Sequence, residues 1–104
     1  MADAPGGPAI PLVDVIIVAW NHGDTLAACL ASLGAALQSG YAIDRVVVVD
    51  NASSVPVRLA RMPDLPTLTL IENTSNRGFA AGSNQGAAGT RADYLLFLNP
   101  DTRV

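Results

Sequence analysis

Val15-Ile16-Ile17-Val18-Ala19-Trp20 is an unbroken apolar run, and its first four residues are all β-branched. A strand with one wet face alternates apolar and polar residues. A continuous β-branched run indicates burial on both faces, as in parallel sheets. The run predicts a strand from Leu12 to Trp20. Four consecutive valines, Val46 to Val49, predict a second from Arg45 to Val49. A weaker third strand is expected over Thr67 to Glu72. A fourth is expected over Asp93 to Leu98, with Tyr94-Leu95-Leu96-Phe97-Leu98 at its centre.

The segments between these runs read as helices and loops. Leu26, Leu30, Leu33 and Leu37 fall at spacings of four, three and four, which is one helical face. Asp24 or Thr25 can cap that helix at its start, and Gly40 stops it. Val55 to Met62 is expected to form a short helix interrupted by Pro56. Asn73 to Arg77 is a polar loop. Phe79 to Gly89 consists almost wholly of Ala, Gly, Ser, Asn and Gln, and is expected to be a helix packed closely on the sheet. Its glycines at 82 and 86 continue a spacing of four that begins at Gly78, which close packing explains. Strand, helix, strand, short helix, strand, helix, strand is the order of an α/β sheet with right-handed parallel crossovers.

Composition narrows the function. The chain has 104 residues, enough for one domain; half are hydrophobic and 14% are charged, too apolar for a disordered chain. No apolar run approaches the ~18 residues of a membrane span. Residues 1–11, with three prolines and two glycines, read as a flexible leader, and they lack the basic start and apolar core of a secretory signal. The single cysteine, Cys29, makes no internal disulfide and is compatible with a reducing cytoplasm. It lies near the apolar helix face and is expected in the core. The net charge is −3, and all six basic residues are arginines scattered along the chain. No basic stripe tracks a nucleic-acid backbone. With no lysine, a P-loop lysine or Schiff-base lysine is excluded.

Parallel strands share one carboxyl edge, and open α/β sheets bind ligands in the crevice at that edge. Trp20-Asn21, Asp50-Asn51, Asn73 to Arg77 and Asn99-Pro100-Asp101 follow the four expected strands. Geometry thus gathers four distant segments into one candidate site. Each residue there has two readings. Asp50 accepts a hydrogen bond from a nucleobase or ribose, or caps a turn continued by Asn51 and Ser53. Asp101 holds a divalent cation against a diphosphate, or belongs to an Asn-Pro-Asp-Thr β-turn. Trp20 stacks on a base, or closes the top of the core. Arg77 precedes a helix start that favours phosphate, or is simply solvated. His22 is a lone loop histidine, more often solvated than catalytic. The glycine spacing is not the G-x-G-x-x-G of a dinucleotide site, which argues against an unrelated Rossmann-like dinucleotide binder.

Four segments together resemble the start of a family 2 glycosyltransferase with the GT-A fold. They are Val15 to Asn21, Val46 to Ser54, Asn76 to Asn84 and Leu96 to Thr102, in that order across residues 12–104. The nearest look within the family is to rhamnosyltransferase-like enzymes of cell-surface polysaccharide synthesis. The resemblance implies a Rossmann-like GT-A N-terminal half: a mainly parallel sheet of about four strands with flanking helices. It implies that Asp50 contacts the nucleotide base and that Val18 and Trp20 line the base pocket. Asn76, Gly78, Asn84 and Asn99 are placed beside the donor. Arg77 stands where the motif is often apolar, so its nucleotide role rests on the helix-start argument alone. Asp101 matches the last aspartate of a metal-binding D-x-D element, here Asn99-Pro100-Asp101, which lacks the first carboxylate.

The implied reaction is inverting transfer of a sugar from a nucleotide-diphosphate sugar to an acceptor hydroxyl, on a glycan or lipid-linked saccharide, with Mg or Mn as cofactor. A cytoplasmic location is expected, or a peripheral one at the inner face of the membrane. The family's general base lies beyond the D-x-D turn, hence beyond Val104. The 104 residues therefore read as a truncated donor-binding half, inactive alone; the alternative is a non-catalytic nucleotide-binding module. In the family's arrangement strand one lies between strands two and four. Strand four is then an apolar edge, and self-association through it is expected.

Overall fold

The computed structural model describes residues 10–35, 42–58 and 67–101. The elements are β1 (Leu12–Ala19), α1 (Gly23–Ala35), β2 (Ala42–Asp50), β3 (Thr67–Glu72), α2 (Gly78–Ala87) and β4 (Tyr94–Leu98). All four strands are parallel, in the order β3-β2-β1-β4. The parallel α/β sheet, and β1 between β2 and β4, agree with the sequence reading. Residues 1–9 of the expected leader, the expected helix end at Leu37 and Gly40, and residues 59–62 of the expected short helix lie outside the described residues.

The strand order decides where the helices go. The step from β1 to β2 runs one way across the sheet, and the step from β3 to β4 runs the other way. With right-handed crossovers the two helices must then cover opposite faces. Two apolar clusters show that they do. Val15, Ile17, Ala19, Val46 and Val48 pack with Leu26, Cys29, Leu30 and Leu33 of α1. Ile16, Val18, Val47 and Val49 form the other layer, with Ala87 of α2. The continuous β-branched runs thus supply both layers, odd positions of β1 to one face and even positions to the other. Each fully buried aliphatic side chain contributes about 1.5–3 kcal/mol.

α2 approaches the sheet closely because it presents glycine there. A Cβ at Gly86 would lie 2.6 Å from Ile16 Cγ2, and one at Gly82 would lie 2.9 Å from Val18 Cγ1. Close packing therefore explains two of the three spaced glycines. Gly78 has a different reason: nothing lies within 4 Å of its missing Cβ, and its φ is +83°. That left-handed conformation favours glycine.

At the amino end of the sheet, Asp14 is fully buried and ties three segments together. Its carboxylate accepts from Arg45 N (3.1 Å), Arg45 Nε (3.0 Å) and Thr90 Oγ1 (2.6 Å). Arg45 Nη2 completes the ion pair at 2.9 Å. The β1–β2 register passes from Val13↔Ile43 to Asp14↔Arg45, so Asp44 is an extra residue that brings Arg45 opposite Asp14.

The expected short helix over Val55 to Met62 is absent where it is described: residues 55–58 are not helical. Val57 is buried in the α1 layer. Its N–H is taken by the Asp50 carboxylate at 3.0 Å instead of by a helical carbonyl.

Candidate functional site

At the carboxyl edge of the sheet, Asn51 and the turn at Asp50 bring together Asn21, Asn73, Arg77 and Gly78. Asn51 is 2% exposed and follows β2 directly. Its Oδ1 accepts from Asn73 Nδ2 at 3.0 Å and from the backbone N–H of Arg77 at 3.2 Å. Its Nδ2 donates to the Gly78 carbonyl at 3.0 Å. One amide thereby joins the end of β2, the loop after β3 and the first turn of α2. Asn73 extends the network through a reciprocal pair of bonds with Gln85, both 2.8 Å.

Asp50 organises the other side. Oδ1 accepts from Ser53 Oγ at 2.6 Å and from Ser53 N at 3.0 Å; Oδ2 accepts from Val57 N. Burial by itself would raise the carboxyl pKa. The Ser53 hydroxyl and the N–H groups of Val57 and Ser53 outweigh it, and the pKa is lowered. The turn reading of Asp50 is thus realised. Three of the roughly four lone-pair positions of the carboxylate are thus taken within the chain, and Asp50 is buried.

Ser53 connects this turn to β1. Its Oγ also accepts the Asn21 N–H at 2.9 Å, and Asn21 Oδ1 accepts the Ser54 N–H at 2.7 Å. Asn21 has φ +57° and Ala52 φ +66°. These two left-handed non-glycine residues lie just after adjacent strands, and the bonds from Asn21 to Ser53 and Ser54 tie the two turns together. Trp20 is half exposed, and its N–H is received by His22 Nδ1 at 2.9 Å. His22 therefore fixes the turn after β1, a role its lone position in the sequence did not signal. Thr25 Oγ1 donates to the His22 carbonyl at 3.1 Å, at the start of α1.

The remaining predicted residues divide between the edge and the core. Asn76 Oδ1 accepts the Gly78 N–H at 2.8 Å, so Asn76 caps the first residue of α2. The side chain of Arg77, the residue before α2, makes no capping bond, and Arg77 is exposed. Asn84 is exposed on α2. Val18 is buried in the α2-side layer, where it meets Gly82. Asn99 and Asp101 follow β4 and are exposed on either side of buried Pro100. Cys29, fully buried as expected, donates from Sγ to the Asn99 carbonyl at 3.8 Å. Burial first, and then the charge of Asp101, push the Cys29 thiol pKa up.

The linking role of Asn51 and Asn73 within the expected site segments, and the part of Gln85, are not legible in the sequence. The sequence places Asn51 at the carboxyl edge, in the turn after Asp50, without showing which groups its amide joins. The available signal was a polar residue directly after a doubly buried strand, where an amide must find partners.

β4 and β2 flank β1, and their ends carry Asp101 and Asp50. β1 leads to β2 on one side, while β4 arrives from the other. This is the topological switch point at which open α/β sheets form a ligand crevice. The sequence model described as "Glycosyl transferase family 2" matches residues 14–104. The chain belongs to glycosyl transferase family 2. An uncharacterized glycosyltransferase of Haemophilus influenzae is 31% identical over 90 residues, covering 86% of this chain and 29% of the relative. An uncharacterized protein of Mycobacterium tuberculosis is 30% identical over 97 residues, covering 93% of this chain and 30% of the relative. The chain thus spans under a third of the length of these relatives. Residues 1–349 of Staphylococcus aureus TarS share the fold, with a TM-score of 0.66 at 19% identity, over 88% of this chain and 28% of that one. The family 2 sheet seen here is accordingly Rossmann-like and GT-A-like. No described helix is long and apolar enough to cross a membrane.

Proposed function

We propose that this family 2 chain binds the nucleotide-diphosphate sugar donor of an inverting glycosyl transfer. The observation that carries the proposal is the placement of Asp50 and Asp101 on either side of the β1 end. Two strand spacings, about 10 Å, separate their strands. That is of the order of the distance from a nucleotide's base to its distal phosphate. In this reading the base lies at Asp50, against the exposed half of Trp20 and above Val18. The free lone-pair position of Asp50 accepts a base N–H. The diphosphate lies toward Asn99 and Asp101. Asn76, Arg77, Gly78 and Asn84 flank the donor at α2, with Arg77 contributing positive charge.

A divalent cation, Mg or Mn, fits this donor set only as a shared ligand. Among the described residues no three His, Cys, Asp or Glu side chains group to hold one unaided. One exposed carboxylate beside an asparagine suits a hard cation that takes its other oxygens from phosphates and water. Asp101, with Asn99, would hold it. Such a cation stabilises the charge that grows on a leaving diphosphate.

For transfer, the acceptor hydroxyl attacks the anomeric carbon from the face opposite the diphosphate and loses its proton to a general base. Asp50 is occupied by three hydrogen bonds, and Asp101 is assigned to the cation. The family resemblance places that base beyond the D-x-D turn, and we assign it to a carboxylate outside these 104 residues; the relatives are about three times as long. The 104-residue chain then binds donor without transferring sugar. The acceptor class is a glycan or lipid-linked saccharide, with rhamnosyl or related hexosyl transfer in cell-surface polysaccharide synthesis. A cytoplasmic location accompanies this reading.

Titration calorimetry with UDP, GDP and dTDP, with and without manganese, tests it. One diphosphate is expected to bind more tightly with manganese, and Asp101→Ala is expected to remove that gain. Binding that ignores both metal and Asp101 would overturn the metal assignment. Absence of binding by all three would overturn the donor site.

A further inference from the structure

We propose that His22 is a positioning residue, whose imidazole holds Trp20 in place for the donor instead of capping α1. The contact stands on geometry alone; its effect on binding rests on the nucleotide reading above.

One peptide unit sets the direction of the Trp20 N–H. The Ala19 carbonyl accepts from Asn51 N, so it points toward β2. The peptide bond is trans, so the N–H of Trp20 points the opposite way, toward β4. β4 does not reach it. Its pairing with β1 ends at Ile17↔Leu98, three residues short of Trp20, and the Asn99-Pro100-Asp101 turn follows. His22 Nδ1 takes the N–H at 2.9 Å instead. The ring is thereby placed on the β4 side of the β1 end, at the switch point. A backbone N–H can only donate, so Nδ1 is the acceptor and the proton of the neutral ring sits on Nε2. Asn21, between the two residues, is held from the β2 side by Ser53 and Ser54. The turn that carries the indole is thus fixed from both sides.

His22 does this from a position that ordinarily serves the helix. Its carbonyl accepts Leu26 N at 2.7 Å, the first bond of α1, which makes His22 the N-cap. Serine, threonine, aspartate and asparagine are preferred there because a side-chain oxygen accepts an N–H of the first turn. A neutral imidazole has one acceptor nitrogen, and that of His22 is turned back to Trp20. An oxygen at position 22 would serve α1; the ring nitrogen serves Trp20. Stability and nucleotide affinity should therefore respond differently to substitution here.

The 104-residue protein has one histidine and one tryptophan, so selective isotope labelling reports each without overlap. The imidazole nitrogen spectrum is expected to show the Nε2–H tautomer. The backbone amide of Trp20 is expected to exchange more slowly in wild type than in His22→Ala. His22→Ala and His22→Ser both remove the ring nitrogen, and only serine supplies a cap. His22→Ser is expected to melt above His22→Ala. Both are expected to bind the tightest of UDP, GDP and dTDP about 2- to 10-fold more weakly than wild type. A 2-pyridylalanine at position 22, with its nitrogen where Nδ1 stands, is expected to recover the slow exchange and the affinity. An Nδ1–H tautomer, Trp20 exchange unchanged in His22→Ala, or an affinity that follows melting temperature, with serine binding better than alanine, would each overturn the proposal. Absence of binding by wild type would overturn the donor site and the effect on affinity with it, while tautomer and exchange still decide whether His22 holds Trp20.

Discussion

Asn51 Nδ2 donates to the carbonyl of Gly78 at 3.0 Å, a contact between residues 27 apart in the chain. This bond, with its companion from Arg77 N to Asn51 Oδ1, fixes the amino end of α2 against the end of β2. The loop before α2 is positioned by one buried amide that uses both its oxygen and its nitrogen.

Asn51→Asp is therefore expected to be more harmful than its small size change suggests. One carboxylate oxygen would replace Nδ2 and face the Gly78 carbonyl, acceptor against acceptor. The expected loss is about 2–4 kcal/mol, read by urea unfolding. Asn51→Ala should cost less per contact but leave the Asn73, Arg77 and Gly78 groups unpaired. A change under about 0.5 kcal/mol in either variant, the range of ordinary surface substitutions, would show that the network does not hold the loop.

Asp50 gives stability a pH dependence of known sign. Its folded-state pKa is lowered: burial opposes ionisation, but the Ser53 and Val57 donors outweigh it. The unfolded chain therefore binds the proton more readily. The stabilisation is fully present above the unfolded-state value of about 3.9. It is lost as pH falls through the lower folded-state value. Asp50→Asn is expected to flatten the acid limb of a melting-temperature profile. It should also lower stability at neutral pH, because one amide nitrogen must face an N–H donor. An acid limb identical in wild type and variant would contradict this account.

Gly86 and Gly89 separate crowding from backbone strain. Gly86→Ala brings a Cβ to 2.6 Å from Ile16 Cγ2 and 3.1 Å from Val49 Cγ2. Both neighbours are buried β-branched side chains with little room to turn, and overpacking of this kind costs about 1–3 kcal/mol. Gly89→Ala meets nothing within 4 Å, but its φ is +74°. The expected cost there is about 1–2 kcal/mol, from the left-handed backbone alone. Asparagine tolerates that conformation better than alanine, so Gly89→Asn should recover part of the loss, while Gly86→Asn should be worse than Gly86→Ala. Equal responses at the two sites in thermal denaturation would show that the distinction fails.

What the chain's linear order determined was the sheet. Val15 to Val18 and Val46 to Val49 could only be buried on both faces, and Leu26, Leu30 and Leu33 could only face them from a helix. Burial of apolar area is local in its code, since periodicity along the chain reports which sides are covered. The carboxyl edge followed from that, because parallel strands end together. The partners of individual polar groups lay beyond that code. Val57 N–H went to Asp50 instead of into a helix, and Asn51 became the bridge between β2 and α2. A hydrogen bond depends on where two groups meet to within a few tenths of an ångström, and residues 7 to 27 apart meet only once the sheet and helices have packed. Tertiary structure alone decided which carboxylate is held and which stays open. Asp50 was surrounded by the turn that Ser53 and Val57 complete, while Asp101, among the described residues, is exposed after β4.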